Sequence, residues 1–426
     1  MKRILPLAIL AALLLAGLAV FAIPPVRARV TSHLAAWRAD LYYAINPPEK
    51  EVFVPEPAVA QAVQGTLAAL ATPSPTVTLT ATLPAETATP QPSPTPTLVP
   101  TALPESIRLT GAKHEYQGWN NCGPATLSVN LSFWGWQGDQ RDTAGWIKPN
   151  DRDKNTSAYE LLDYVRAETD LRALLRVGGD LETLKRLIAA GFPVIIERGF
   201  DGYDDEGWMG HYELITGYDD SYQKVITQDV LIMPDFPLPY TELTEYWRAF
   251  NYVFVVVYPP EREADLMQAL GPLADETQAY QIALDRAKDE INTLTGREQF
   301  FAWFNAGESL LHFEDFAGAA DAFDQAFGLY AQLEEKNRPW RMVWYQHGPY
   351  PAYYALGRYQ DVINLATHTL SRSSEPALEE SFFWRGRAYQ FAGDQAKGVE
   401  DLRAALKWHP NWQPALDELA LWGETP

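Results

Sequence analysis

Cysteine occurs once in 426 residues, at Cys122. No internal disulfide can form, so stability outside a cell would rest on packing, and a solitary thiol in an exported chain is a candidate for reactivity. Basic residues are also scarce. The 34 Lys and Arg face 55 Asp and Glu, a formal net charge of -21. That balance speaks against a nucleic-acid partner, because phosphate binding needs clustered cations. It speaks equally against adhesion to an anionic membrane surface. The seven histidines show no paired metal spacing, and HExxH is absent. No metal or other cofactor is expected from these patterns.

Long apolar runs are rare too, and the exception stands at the N-terminus. Lys2 and Arg3 precede an uncharged Leu- and Ala-rich stretch, Ile4 to Ile23. Its roughly 20 residues are long enough to span a bilayer. Val20-Phe21-Ala22 also resembles a small-residue cleavage site. An uncleaved anchor and a cleaved signal peptide are both open, with length favouring the anchor. No lipobox cysteine follows.

The length suggests two or three domains. Residues 1–26 form the anchor or signal and 27–70 a juxtamembrane segment, in which Val30 to Ile45 reads as an amphipathic helix stopped by Pro47-Pro48. Residues 71–104 are Thr-, Pro-, Ser- and Ala-rich, with Glu86 the lone charge. Such a segment cannot bury a core. It reads as an extended extracytoplasmic stalk, with a reach near 90 Å at roughly 3.1 Å per residue. Everything beyond it is then expected outside the membrane.

Residues 105–260 mix helix and strand signals. Ser157 and Glu160 make a capping box before Leu161, Leu162 and Val165. Leu181 to Ala190 reads as an amphipathic helix closed by Gly191. Phe192–Glu197, Tyr212–Tyr218, Lys224–Asp229 and Tyr252–Tyr258 read as strands. After Pro259-Pro260 the strand signals stop. Trp303, Gly307, Leu310, Ala319, Phe323 and Ala326 follow tetratricopeptide spacing, and Phe382, Gly386, Tyr389, Gly398, Leu402, Ala405 and Pro410 follow it again. Tyr350, Tyr353, Gly357 and Tyr359 make a degenerate copy with a proline-bearing insertion at Pro339 and Pro349. Residues 261–426 are therefore expected to be an all-α repeat domain, packed separately from 105–260, that holds a protein or peptide partner. Its aromatic residues read first as inter-repeat core.

Gln117-Gly-Trp-Asn-Asn-Cys122-Gly-Pro-Ala-Thr-Leu carries the chemistry. Ala125 to Trp136 can run on as a helix, and Pro124 suits its first turn. A thiol at a helix N-terminus feels the positive end of the macrodipole, which favours the thiolate. Gln117 can aim its amide at a tetrahedral oxyanion. The bland alternative is a small buried hydrophobe. His211 begins an alternating apolar strand and Asp229 ends the next. A hairpin centred on Asp220 makes 211 and 229 directly opposed, about 5 Å apart at Cβ. The carboxylate would then orient the imidazole, and the imidazole would take the thiol proton.

These residues together resemble the C39-like family of papain-superfamily peptidases. The likeness rests on Gln117, Asn121-Cys122-Gly123-Pro124, Gly210-His211-Tyr212 with Thr216-Gly217-Tyr218-Asp219, and Gln228-Asp229. Gly178 to Leu184, Gly191-Phe-Pro-Val194 and Tyr246-Trp247 add to it. It covers Glu105 to Pro260. It implies an α+β papain-like fold, with Cys122 as nucleophile, His211 as base, Asp229 as orienting carboxylate and Gln117 as oxyanion donor. Val230 stands where such proteins often carry proline. No P-loop accompanies the domain, so the leader-peptide substrate of transporter-fused relatives is not implied.

Two weaker patterns remain. Asp151-Arg-Asp153-Lys-Asn155 begins like a calcium loop, but Thr156 replaces the needed glycine and Leu162 the bidentate glutamate. It reads as a loop before a helix. Asp201, Asp204, Asp205 and Glu206 could form a lid favouring basic substrates, or a solvated loop. The leading expectation is an extracytoplasmic cysteine peptidase or amide hydrolase. Its rivals are a catalytically silent peptide-binding scaffold and a transpeptidase or amidase on cell-wall peptides.

Overall fold

The computed structural model describes residues 21, 24–46, 48–50, 52–56, 103–202 and 207–426. The apolar run Ile4–Ile23 apart from Phe21, nearly all of the Thr/Pro segment and the acidic residues 204–206 lie outside the described residues. Among the described residues no helix is long and apolar enough to cross a membrane.

The first described helix, α1 (Pro24–Ile45), ends just before Pro47-Pro48. The sheet-bearing part follows the Thr/Pro segment: β1 (Ser106–Arg108), α2 (Cys122–Phe133), α3 (Gln140–Ile147), α4 (Ala158–Glu168), β2 (Arg172–Arg176), α5 (Leu181–Ala189), β3 (Val194–Asp201), β4 (Trp208–Asp219), β5 (Lys224–Gln228), β6 (Phe236–Pro239), α6 (Tyr240–Trp247) and β7 (Phe254–Tyr258). The strands form one antiparallel sheet in the order β2-β7-β3-β4-β5-β6, and β1 also pairs with β4. Strands β1, β2 and β6 have no counterpart in the sequence reading; they are short and lack a clean alternation.

Side-chain parity explains why the central strands are apolar on both sides. Ile195, Leu214, Val255 and Val257 face α2 and α4, packing on Leu127, Leu131, Leu161 and Val165. Their neighbours Val194, Ile196, Ile215, Phe254 and Val256 face α5 and α6, packing on Leu184, Leu187 and Leu243. A sheet sandwiched between helices needs no polar face, so Phe254–Tyr258 is buried throughout. The capping box at Ser157–Glu160 starts α4, as its sequence implies.

From Glu263 onward the described chain is helical: α7 (Glu263–Leu270), α8 (Glu276–Thr293), α9 (Gly296–His312), α10 (Phe316–Gln332), α11 (Met342–Tyr345), α12 (Pro349–Ala355), α13 (Tyr359–Arg372), α14 (Glu379–Phe391), α15 (Gln395–Trp408) and α16 (Gln413–Leu421). Small residues bring paired helices together. A Cβ on Gly307 would stand 2.6 Å from the Phe323 ring.

One expectation needs correction. The parts before and after Pro260 are not separate packing units. One apolar cluster joins Trp208, Phe250 and Val253 to Phe300, Phe304, Phe323, Tyr350 and Tyr353. The stalk reading of 71–104 falls almost wholly outside the described residues. Among the described residues near it, Phe53 is buried against Phe327 with ring centroids 5.0 Å apart, and Glu56 N–H donates to Asp361 Oδ1 at 3.2 Å. Tyr218 Oη donates to the Pro104 carbonyl at 2.7 Å.

Candidate functional site

Cys122 is the first residue of α2, with Asn121 as N-cap. Asn121 Nδ2 and Gly118 N–H both donate to Gln140 Oε1, at 2.9 and 2.7 Å. Asn120 holds a left-handed backbone, φ 52°, which Asn tolerates. Its Nδ2 donates to the Asp153 carbonyl at 2.7 Å. These bonds fix the turn that delivers the thiol. Gly123 lets α2 approach the sheet: a Cβ there would stand 2.9 Å from Thr156 Cβ and 3.3 Å from Tyr212 Cδ2. Thr126 Oγ1 donates to the Tyr212 carbonyl at 3.0 Å and ties the same helix to β4.

His211 lies on β4 and is buried, and its Nε2 sits 3.0 Å from Asp229 Oδ1. The same Oδ1 accepts from the Leu231 and Ile232 N–H groups at 2.8 and 3.0 Å. His211 also stands beside Cys122, near enough to favour its thiolate. Asp229 occupies Nε2, which leaves Nδ1 for the thiol. The structure thus brings Cys122, His211 and Asp229 together.

The route differs from direct opposition. The β4–β5 pairs are Asp219↔Lys224, Tyr218↔Val225 and Gly217↔Ile226, then Ile215↔Thr227 and Leu214↔Gln228 across a bulge. The turn is centred between Ser221 and Tyr222, not on Asp220. The bulge moves the register back by one residue, towards His211. Continued by one pair, it sets Asp229 beside Glu213, so Asp229 meets His211 on the diagonal. Diagonal neighbours remain within side-chain reach.

The electrostatics follow from burial and contact. Burial alone would lower the His211 imidazole, but hydrogen bonds to Asp229 and Cys122 push it up to about 10. Burial would raise the Cys122 thiol; the His211 hydrogen bond and charge bring it below its ordinary value. Burial also opposes ionisation of Asp229, yet the His211 contact and two backbone N–H groups hold it well below the usual carboxylate range. The group therefore favours thiolate, imidazolium and carboxylate together. Beside it, Arg198 Nε donates to Glu213 Oε1 at 2.8 Å in a buried ion pair.

Gln117 is half-buried. Its N–H donates to the Val230 carbonyl at 2.8 Å, next to Asp229, and its Oε1 is buried without a partner among the described residues. It does not line the small cavity at Cys122. That cavity, about 20 Å³, is walled by Asn120, Cys122, Lys154, Glu197, Tyr212 and Tyr345 among others. It has room for about one water molecule. Burial pushes the Glu197 carboxyl well up. Tyr212 Oη lies 2.9 Å from the Thr156 carbonyl and 2.8 Å from Glu197 Oε2. A neutral Glu197 donating to the phenol, which donates to Thr156, satisfies both contacts.

Sequence reasoning missed Glu197, Tyr212, Lys154 and Tyr345 as site neighbours. Glu197, facing Tyr212 in the β3–β4 register, carried a signal as the single acid ending an apolar strand. Tyr345 carried none, because it arrives from the helical part 134 positions after His211.

Residues 110–254 match the Peptidase_C39 like family. No curated protein matches the chain. Among solved structures, one described as a C39-like peptidase from Bacillus anthracis is 18% identical, covering 36% of this chain and 96% of its own, with a TM-score of 0.30. The MamA protein is 16% identical, covering 39% of this chain and 85% of its own, with a TM-score of 0.25. The fold class rests on the strand register and helix pairing themselves. The similarity to the Peptidase_C39 like family is thus confined to residues 110–254, about a third of the chain.

Proposed function

We propose that this chain is a cysteine peptidase or amide hydrolase with Cys122 as nucleophile, His211 as general base and acid, and Asp229 as the group that orients His211. The observation that carries the reading is the adjacency of Cys122, at a helix start, to the buried His211, whose Nε2 lies 3.0 Å from Asp229 Oδ1. A lone structural histidine would need no thiol on one side and carboxylate on the other.

The chemistry follows from the protonation states. The Cys122 thiolate attacks the carbonyl carbon, and the C=O electron pair moves to oxygen. As the tetrahedral species collapses, the C–N bond breaks and the His211 imidazolium gives its proton to the leaving amine. Water, deprotonated by His211, then attacks the thioester and releases the carboxylic acid and the thiol. Gln117 and the backbone N–H groups at the start of α2 are the candidate oxyanion donors. The helical part is the candidate platform for a protein or peptide partner. The N-terminal run Ile4–Ile23 supports an extracytoplasmic location by membrane anchor or cleaved signal.

Incubation of the full chain with a peptide library, read by mass spectrometry, tests the reading. Cleavage should appear with wild type and vanish with Cys122→Ser. Equal product from both would sink it, and transfer of the acyl group to added amines would redirect it to a transpeptidase.

A further inference from the structure

A second cluster of polar side chains lies outside the catalytic group. Asp153, on the loop before α4, meets Glu379 at the start of α14 and His409 just after α15. One potential ligand atom from each lies within 4.8 Å of the other two. A single point can therefore lie within about 2.8 Å of all three, roughly 0.6–0.8 Å longer than zinc–ligand distances, so the side chains would close in on a bound ion. Asp153 and Glu379 are buried, and His409 is partly so.

Asp153, Glu160, Glu379 and Glu380 are all buried within this region. Two buried lysines are near, but neither forms an ion pair with these acids among the described residues. Lys148 Nζ donates to the Asn120 carbonyl, and Lys154 Nζ sits over the Trp119 ring at 5.0 Å. Glu379 meets His409 and Glu380 meets His347, so imidazoles are the partners of these two acids. A divalent cation among these groups would be met by carboxylate oxygens as well as by an imidazole.

Hydrogen bonding points the same way. Glu160 Oε2 accepts from Ser157 N–H at 2.7 Å, and Glu379 Oε1 accepts from His409 Nδ1 at 2.7 Å. Glu379 Oε2, on a residue only 3% exposed, has no partner among the described residues. A buried carboxylate oxygen without a donor is costly unless something cationic meets it. Two carboxylates and one imidazole suit a first-row divalent ion better than calcium, which prefers an all-oxygen shell.

We propose that Asp153, Glu379 and His409 form a binding site for one divalent transition-metal ion of the zinc type, joining the loop before α4 to the helical part. The site is invisible to local spacing because Asp153 lies more than 200 residues before Glu379 and His409. It gives the Asp151–Asn155 run a role that a calcium loop could not. The same loop supplies Lys154, Asn155 and Thr156 to the cavity at Cys122, and Lys154 N–H donates to the Ala377 carbonyl at 3.1 Å. A bound ion would thus fix one wall of the cavity against α14.

The test is zinc binding by the full chain, stripped with chelator and titrated with ZnCl2 by calorimetry, with metal content read independently by elemental analysis. One ion per chain at micromolar or tighter affinity is expected, with a rise in Tm. Glu379→Gln and His409→Gln should each weaken binding by tenfold or more, and His211→Ala should leave it unchanged. His409 is partly exposed, so its variant serves if Glu379→Gln does not fold. No uptake at 100-fold excess zinc would overturn the site. So would equal affinity in wild type and His409→Gln, or loss of binding in His211→Ala alone.

Discussion

The Tyr345 ring of α11 packs against Gly210, the residue before His211. A Cβ on Gly210 would stand 3.2 and 3.3 Å from Tyr345 Cε1 and Cδ1. The same ring lines the cavity at Cys122 and packs edge-on against Trp208 and Phe250, with centroids 6.0 and 5.8 Å away. A side chain from the helical part thus covers the thiol.

Tyr345→Ala is expected to enlarge the cavity and raise Cys122 alkylation by a bulky maleimide about tenfold or more. The lost packing should cost about 3 kcal/mol, read as a lower Tm. Unchanged alkylation in a folded variant would mean that access to the thiol runs elsewhere.

Asp229→Asn should lower peptide turnover by about 100-fold or more, because the neutral amide no longer holds the imidazolium. Its effect on stability should depend on pH. His211 has a folded value of about 10 against an ordinary 6.5. Its contribution is full below 6.5 and is lost as pH rises through about 10. Asp229 is depressed, so its contribution is present above 3.8 and lost as pH falls below that. The stability gap between wild type and Asp229→Asn should be widest near pH 4–6.5 and close towards pH 10. Denaturant melts across pH check this; a constant gap contradicts it.

Gly123→Ala should destabilise by about 1–3 kcal/mol, since its Cβ would press on Thr156 and Tyr212. Cys122→Ser, by contrast, should leave Tm nearly unchanged, because the thiol is half-buried beside a cavity. Thermal melts of the two variants separate a packing role for the helix start from a chemical role for the thiol.

A chain ending at residue 262 should not fold cleanly. Trp208 is 1% and Phe250 3% exposed, and both pack in the cluster that continues into α9 and α12. Removing that cover would expose a large apolar patch. Aggregation or dye binding by the truncated chain is the expected result; a monomeric, cooperatively melting fragment would contradict the shared core.

Local chemistry made part of this legible in sequence. Cys122 declared itself by standing before a helix with Pro124 in its first turn, and His211 and Asp229 by their places on two alternating runs. The capping box at Ser157 and the apolar Phe254–Tyr258 strand were equally local signals. What was not legible depends on distant pairing. The bulge at Ile215/Gly217 forms where β1 arrives: Arg108 pairs with Gly217, and a Cβ there would stand 2.6 Å from the Ile107 carbonyl oxygen. That pairing joins residues more than 100 positions apart; with the turn centred between Ser221 and Tyr222, counting from Asp220 placed Asp229 two residues from its position beside Glu213. Tyr345 over Cys122 and Phe53 against Phe327 are contacts of the same kind. Each is set by packing between distant elements, and no local pattern encodes it.

The central claim is that His211 holds Cys122 as a thiolate. The rate of Cys122 alkylation by iodoacetamide, followed against pH in the full chain and in its His211→Ala variant, tests it most directly. The account predicts a wild-type profile with its midpoint well below the ordinary thiol value of 9.0. It predicts that the variant's midpoint moves to 9.0 or above, because burial then acts unopposed. A wild-type midpoint at or above 9.0, unmoved by His211→Ala, would contradict the account.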